Sequence, residues 1–114
     1  MRRLALALAL ALAALPARAA DLPPEVDHML WCSSAFYWLS ADAQDAGQSD
    51  EADRYDKWST SLAERAAAGL KGLGYSDEQV GELGDSYDNQ VVTELTGTTR
   101  RYDPAGCAAF ISDP

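Results

Sequence analysis

Apolar residues recur at spacings of three and four along three long segments of the chain, a pattern that predicts amphipathic α-helices. The first predicted helix covers about residues 23–45 and ends before Gly47. Its apolar side chains occupy nearly every side, and no charged residue occurs from Met29 to Ala41. A helix of this kind is either central in its domain or carries an exposed apolar patch.

The second and third predicted helices each have one apolar stripe. Ser49 is the predicted N-cap of the second helix, which ends near Gly72. Ser76 and Gln79 fit a capping box that begins the third helix, and Gly97 ends it. The stripes consist of Tyr55, Trp58, Leu62, Ala66, Leu70 and Leu73 in the second helix and of Val80, Leu83, Tyr87, Val91 and Leu95 in the third.

Two glycines, Gly81 and Gly84, lie inside the third predicted helix. Each costs about 1 kcal/mol relative to alanine in a helix interior. We expect them to permit close contact with a neighbouring helix, the alternative being a looser helix.

A fourth, short helix is predicted for about residues 104–111, with Asp103 as N-cap and Pro104 at the first helical position. The connections are short, so consecutive helices should pack as antiparallel neighbours. No β-alternation of useful length occurs. The sequence therefore predicts an all-α fold, a small antiparallel helical bundle of three main helices plus a short C-terminal helix, closed by one disulfide.

The N-terminal segment has the pattern of an export signal. Arg2 and Arg3 precede an apolar run from Leu4 to Leu15, and a small-x-small cleavage site ends at Ala19. The run is shorter than the roughly 20 residues that cross a bilayer as a helix. We expect residues 1–19 to be a cleaved signal peptide, with cleavage after residue 20 as the alternative. Residues 20–114 would then be a single periplasmic or secreted domain with no membrane span.

The two cysteines, Cys32 and Cys107, are 75 positions apart. In an oxidising compartment such a pair is expected to form a disulfide. Redox-active pairs are usually spaced C-x-x-C, so a structural bridge is favoured over a redox or metal role. The chain-entropy estimate for a loop of this length is roughly 4 kcal/mol.

The charge is strongly acidic, with 9 Lys+Arg against 18 Asp+Glu. Loss of Arg2, Arg3 and Arg18 with the leader would leave 6 against 18, a net charge of −12. This balance argues against nucleic acid or an anionic membrane surface and permits a cationic protein or peptide partner. Residues 72–99 contain six acids and no base. The alternative is that the charge only keeps a small domain soluble.

No catalytic or cofactor motif is present. His28 and Cys32 are one helical turn apart, but two side chains do not complete a tetrahedral metal site, and the disulfide would remove Cys32. Ser33 and Ser34 lack the G-x-S-x-G context of a nucleophile. We therefore expect no cofactor, no metal and no enzyme activity, with a small hydrolase or metal-binding protein as the remaining alternative.

Aromatic residues are concentrated on the first predicted helix. If three short helices leave part of it uncovered, Trp31 and Trp38 are the candidate partner contacts, because tryptophan is enriched in binding hot spots. The alternative is that both are core residues.

These features together predict an exported, non-catalytic helical binding or accessory protein that contacts a protein or peptide. A small, periplasmic, helical outline with one disulfide also resembles that of acid-activated periplasmic chaperones. The resemblance covers architecture only and assigns no residues. An acid-stress chaperone is accordingly the second hypothesis, because protonation of many carboxylates would remove negative charge and expose apolar helix faces.

Overall fold

The computed structural model describes residues 22–112, and these form an all-α fold. The helices are α1 (Pro24–Asp45), α2 (Ser49–Gly72), α3 (Asp77–Thr96), a 3-10 turn (Pro104–Cys107) and α4 (Ala108–Ser112). The predicted all-α class and the three main helices are confirmed. The predicted signal peptide and both cleavage sites lie outside the described residues.

Side-chain caps mark the starts of α3 and of the 3-10 turn. The Ser76 hydroxyl accepts a hydrogen bond from the Gln79 amide at 3.1 Å, and the Gln79 side chain accepts one from the Ser76 amide at 2.9 Å, which confirms the capping box. Asp103 accepts from the Ala105 amide at 3.0 Å, as predicted for an N-cap. The Ser49 N-cap is wrong, because Gln48 holds that position without a side-chain bond and Ser49 is already helical.

Helix α1 is the central element of the core. Its middle turns are buried on nearly every side, including Trp31, Cys32, Ala35 and Phe36. This resolves the two alternatives for a helix that is apolar all round. The helix is central because neighbours cover it from several directions.

Helix α2 runs antiparallel to α1, and buried serines fasten the two together. Ser33 donates to the Ser59 carbonyl at 2.9 Å, and Ser59 donates back to the Ser33 carbonyl at 2.8 Å. Further along, Ser40 donates to the Ala52 carbonyl at 2.8 Å. The serines therefore satisfy their hydroxyls across the helix interface, where an unpartnered hydroxyl would cost free energy.

Helix α3 packs on α1 through Tyr87 and Val91, both fully buried. Helices α2 and α3 make fewer contacts with each other than either makes with α1. The expectation that consecutive helices pack as neighbours therefore holds for the first pair but not for the second. The expectation for Gly81 and Gly84 is wrong as well, because a Cβ atom at either position would meet no atom within 4 Å.

The predicted disulfide joins Cys32 and Cys107, whose Cα atoms are 5.5 Å apart and whose side chains are fully buried. It fastens the 3-10 turn to the middle of α1. The predicted single C-terminal helix is instead this turn followed by the five residues of α4. Within residues 22–112, no helix has the length and apolar character needed to cross a membrane.

Candidate functional site

Trp31, a predicted partner contact, is a core residue. Its exposed fraction is 0%, and its indole Nε1 donates to Glu94 Oε1 at 3.0 Å. The edge of its ring meets Tyr102 at a centroid distance of 5.7 Å. As folded, Trp31 offers no surface to a partner, so the prediction of an exposed contact is corrected. Neighbouring helices and the C-terminal segment together cover this side of α1.

Trp38 is partly buried and also engaged within the fold. Its Nε1 donates to the Asp88 carbonyl at 3.0 Å, and the Asp88 carboxylate accepts from Ser34. Among the large apolar residues in the described part of the chain, only Tyr37 and Leu73 are exposed, with exposed fractions of 48% and 55%. The exposed aromatic residue of α1 is therefore Tyr37, whose ring meets the Trp38 ring edge-on at 5.0 Å.

A groove lies where the chain turns from α2 into α3. Gly74 has φ of 97°, a conformation that glycine adopts without strain, and the Tyr75 amide returns to the Leu70 carbonyl at 3.1 Å. The groove has a volume of about 370 Å³. Its lining consists of Leu73, Gly74, Tyr75, Gln79, Glu82, Leu83 and Ser86. It therefore combines apolar side chains with a carboxylate and neutral polar groups.

The charge around this groove is one-sided. Asp77, Glu78, Glu82 and Asp85 are exposed on the first half of α3. Lys71 forms an ion pair with Asp77, and no further basic residue occurs before Arg100. The potential near the groove is therefore negative, which favours a cationic ligand.

A second polar cluster lies at the other end of α3 and centres on Asp27. Tyr87 and Tyr102 both donate their hydroxyls to this carboxylate, Tyr102 at 2.6 Å to Oδ2. Arg101 Nη1 reaches Asp27 Oδ1 at 3.2 Å. Residues from α1, α3 and the C-terminal segment thus meet on one carboxylate.

Glu94 holds the same arginine from the other side. Its carboxylate accepts from Arg101 Nε at 3.1 Å, from Nη2 at 2.8 Å and from the Arg101 amide at 2.8 Å. Burial opposes the charge on Glu94, but the hydrogen bonds from Arg101 and Trp31 outweigh it and lower the pKa of the carboxyl. We call Asp27, Tyr87, Glu94, Arg101 and Tyr102 the carboxylate clamp.

Both clamp tyrosines keep their protons tightly. Burial, together with hydrogen bonds to Asp27, raises the pKa of Tyr102 to about 12 and raises that of Tyr87 further. Each hydroxyl is therefore a donor at neutral pH rather than a base. Nearby on α1, Ser33 donates its hydroxyl to the Ser59 carbonyl and Ser34 donates to the Asp88 carboxylate.

His28 belongs to an aromatic stack beside the clamp and not to a metal site. Its ring stacks on Tyr102 at 3.9 Å and meets the edge of Phe110 at 4.8 Å. Burial lowers the pKa of the imidazole, and the nearby Asp27 charge offsets this only in part. The alternative that His28 and Cys32 together bind a metal is overturned, because the Cys32 sulfur is in the disulfide. No group of three or more metal-ligating side chains lies together in residues 22–112.

Comparison of the chain with models of protein families, with curated proteins and with solved structures gives no match. The groove and the carboxylate clamp were both missed by the sequence reasoning. One signal for the clamp was available in the sequence. Arg100 and Arg101 are the first basic residues after Lys71, and every charged residue between them and Lys71 is an acid. The contacts with α1 could not be predicted, because Trp31 and Glu94 are 63 positions apart and Asp27 and Tyr102 are 75 positions apart.

Proposed function

We propose that this protein is an exported, non-catalytic binding protein that holds a basic segment of a partner protein or peptide in the groove between α2 and α3. The observation that carries the proposal is an exposed Leu73 on a groove beside four exposed acids of α3 and a single base, Lys71, which is already paired with Asp77. An isolated exposed leucine needs no explanation, but one on a concave surface with unbalanced charge favours a binding role.

The lining of the groove defines the chemistry of the partner. Leu73, Tyr75 and Leu83 would accept an aliphatic or aromatic side chain, and burial of one such side chain contributes about 1.5–3 kcal/mol. Glu82 would meet a neighbouring lysine or arginine. A segment that alternates basic and apolar residues supplies both contacts.

A direct test is binding of a fluorescein-labelled peptide of alternating lysine and leucine, measured by anisotropy, beside a peptide in which glutamate replaces lysine. We expect saturable binding of the first peptide alone. Leu73→Ser should weaken it roughly tenfold, in line with the loss of one buried apolar side chain.

The matched control separates the groove from overall charge. Glu82→Gln and Glu64→Gln remove the same charge, but Glu64 is exposed on α2 and does not line the groove. Glu82→Gln should weaken binding by up to about fivefold, as expected for one ion pair at a surface. Equal effects of the two variants would reduce the interaction to long-range attraction and contradict the groove.

An acid-stress chaperone is the second proposal, and the carboxylate clamp is the observation that favours it. Asp27 and Glu94 hold Tyr102 over His28 and beside Trp31. Weakening of the clamp in acid would uncover aromatic surface for unfolded clients. Protection of a client from aggregation at about pH 3 but not at pH 7 supports this proposal, and equal or absent protection at both contradicts it.

A further inference from the structure

The segment between α3 and the 3-10 turn, residues 97–103, crosses the His28 end of α1. We call it the strap. One of its ends continues from α3, and the other leads within four residues to Cys107, which the disulfide holds on α1. Release of the strap therefore does not detach either end from the domain.

Two carboxylates, Asp27 and Glu94, make the charged contacts that attach the strap to the rest of the fold. Within the described residues, the only hydrogen bond from a main-chain amide of 98–102 to the rest of the fold goes to the Glu94 carboxylate. The Arg101 side chain reaches Glu94, Asp27 and, at 2.6 Å, the Gln90 amide oxygen. No regular backbone ladder holds the segment, in contrast to the helices on both sides.

We propose that the strap is an acid-released closure, fastened at neutral pH by Glu94 and Asp27 and released when these carboxylates lose their charge. Release would free Arg101 and move Tyr102 away from the rings of His28 and Trp31. The proposal does not depend on the groove or on a chaperone function.

Release of the strap depends on the charged and titratable groups near Glu94. From α1 these are Asp27 and His28, from α3 Tyr87, and from the strap Arg100, Arg101 and Tyr102. The Arg100 guanidinium donates to the Leu95 carbonyl, so this bond holds the strap only next to the end of α3 and involves no carboxylate. Within residues 22–112, the carboxylate partners of Arg101 are Asp27 and Glu94.

Among the groups next to the strap whose pKa is shifted, the two that titrate below neutral pH, Glu94 and His28, act in the same direction. The Glu94 pKa is lowered from 4.5, so its contribution to the closed state is full above that value and is lost as the pH falls through the lowered one. The His28 pKa is lowered from 6.5, so charging of the imidazole also disfavours the closed state as the pH falls. Acid therefore weakens the clamp and the ring stack together.

The experiment is backbone hydrogen exchange of the intact, oxidised protein at pH 7 and at about pH 3, read on peptides that cover residues 97–106 and on peptides from α1 and α2. An unstructured peptide of the same strap sequence corrects for the intrinsic effect of pH. We expect the strap to lose at least fivefold of its protection in acid while α1 and α2 remain protected.

Glu94→Gln tests the cause at neutral pH, because it removes the charge and keeps the shape. We expect strap exchange to rise about fivefold at pH 7, and tryptic cleavage after Arg100 and Arg101 to accelerate similarly. Asp85→Asn is the control, since Asp85 is exposed on the same helix and far along it from the clamp. Unchanged strap protection in Glu94→Gln, or loss of protection in acid that is equal in all helices, would overturn the proposal.

Discussion

The indole of Trp31 donates to the carboxylate of Glu94 at 3.0 Å across 63 positions of the chain, and the same carboxylate binds the main-chain amide of Arg101. One side chain therefore links the core of α1 to the strap. Because the indole N–H is buried and this is its hydrogen bond within residues 22–112, the bond both orients Glu94 and satisfies Trp31.

Trp31→Phe should lower the free energy of unfolding by about 1–3 kcal/mol, because it removes a hydrogen bond to a charged acceptor and leaves a gap where the second ring was. Urea denaturation followed by circular dichroism measures the change. Trp58→Phe is the control, since Trp58 packs on Phe36 and, unlike Trp31, has no hydrogen bond from its indole nitrogen to a carboxylate in the described part of the chain. If both variants lost the same stability, the Glu94 bond would contribute nothing measurable.

The disulfide should carry much of the stability. Replacement of both Cys32 and Cys107 by alanine should cost roughly 4 kcal/mol, because the bridge constrains a long loop in the unfolded chain. Removal should also loosen α4, whose further contacts include the hydrogen bond from Arg65 to the Phe110 carbonyl at 3.0 Å and the ring contact of Phe110 with His28 at 4.8 Å. Thermal midpoints of the variant and of the parent check the first effect, and hydrogen exchange of α4 checks the second. An undiminished midpoint would mean that the helical core suffices without the bridge.

The sequence predicted the helices well because apolar spacing and caps are local signals. Ser76, Asp103 and the apolar stripe through Tyr87 and Val91 are all readable within one or two helical turns. The pairing of Cys32 with Cys107 was also predictable, since two cysteines allow only one bridge.

The arrangement of the helices and the candidate sites were less predictable, because they depend on contacts between distant residues. The residues next to Glu94 in the sequence do not distinguish it from the other acids of α3. In the described structure, however, Glu94 is the acid of α3 that forms an ion pair with Arg101. Trp31 and Trp38 are the same residue type on the same apolar helix, yet of these two only Trp31 is completely buried. Burial of a residue on a helix that is apolar all round is decided by what else packs there.

Alkaline pH should destabilise the fold through the clamp tyrosines. A raised pKa means that the folded state holds the proton more tightly, so the contribution of Tyr102 is full below the ordinary value of 10.0 and is lost as the pH rises toward about 12. We expect the thermal midpoint to fall over that range in the parent and to fall less in Tyr102→Phe. Tyr37→Phe is the control, since Tyr37 is half exposed and bonds to no carboxylate. A parallel decline in all three proteins would place the loss elsewhere.

The glycines of α3 offer a stabilising change whose sign distinguishes helix propensity from packing. A Cβ atom at Gly81 or Gly84 meets open space, and neither residue has a positive φ. Gly81→Ala and Gly84→Ala should therefore each raise the free energy of unfolding by about 0.5–1 kcal/mol, because alanine loses less backbone entropy in a helix. Gly74→Ala should do the opposite, since its φ of 97° strains any residue with a Cβ atom. Urea midpoints of the three variants measure these changes. Destabilisation by Gly81→Ala or Gly84→Ala would restore the idea that α3 needs its glycines for close helix contact.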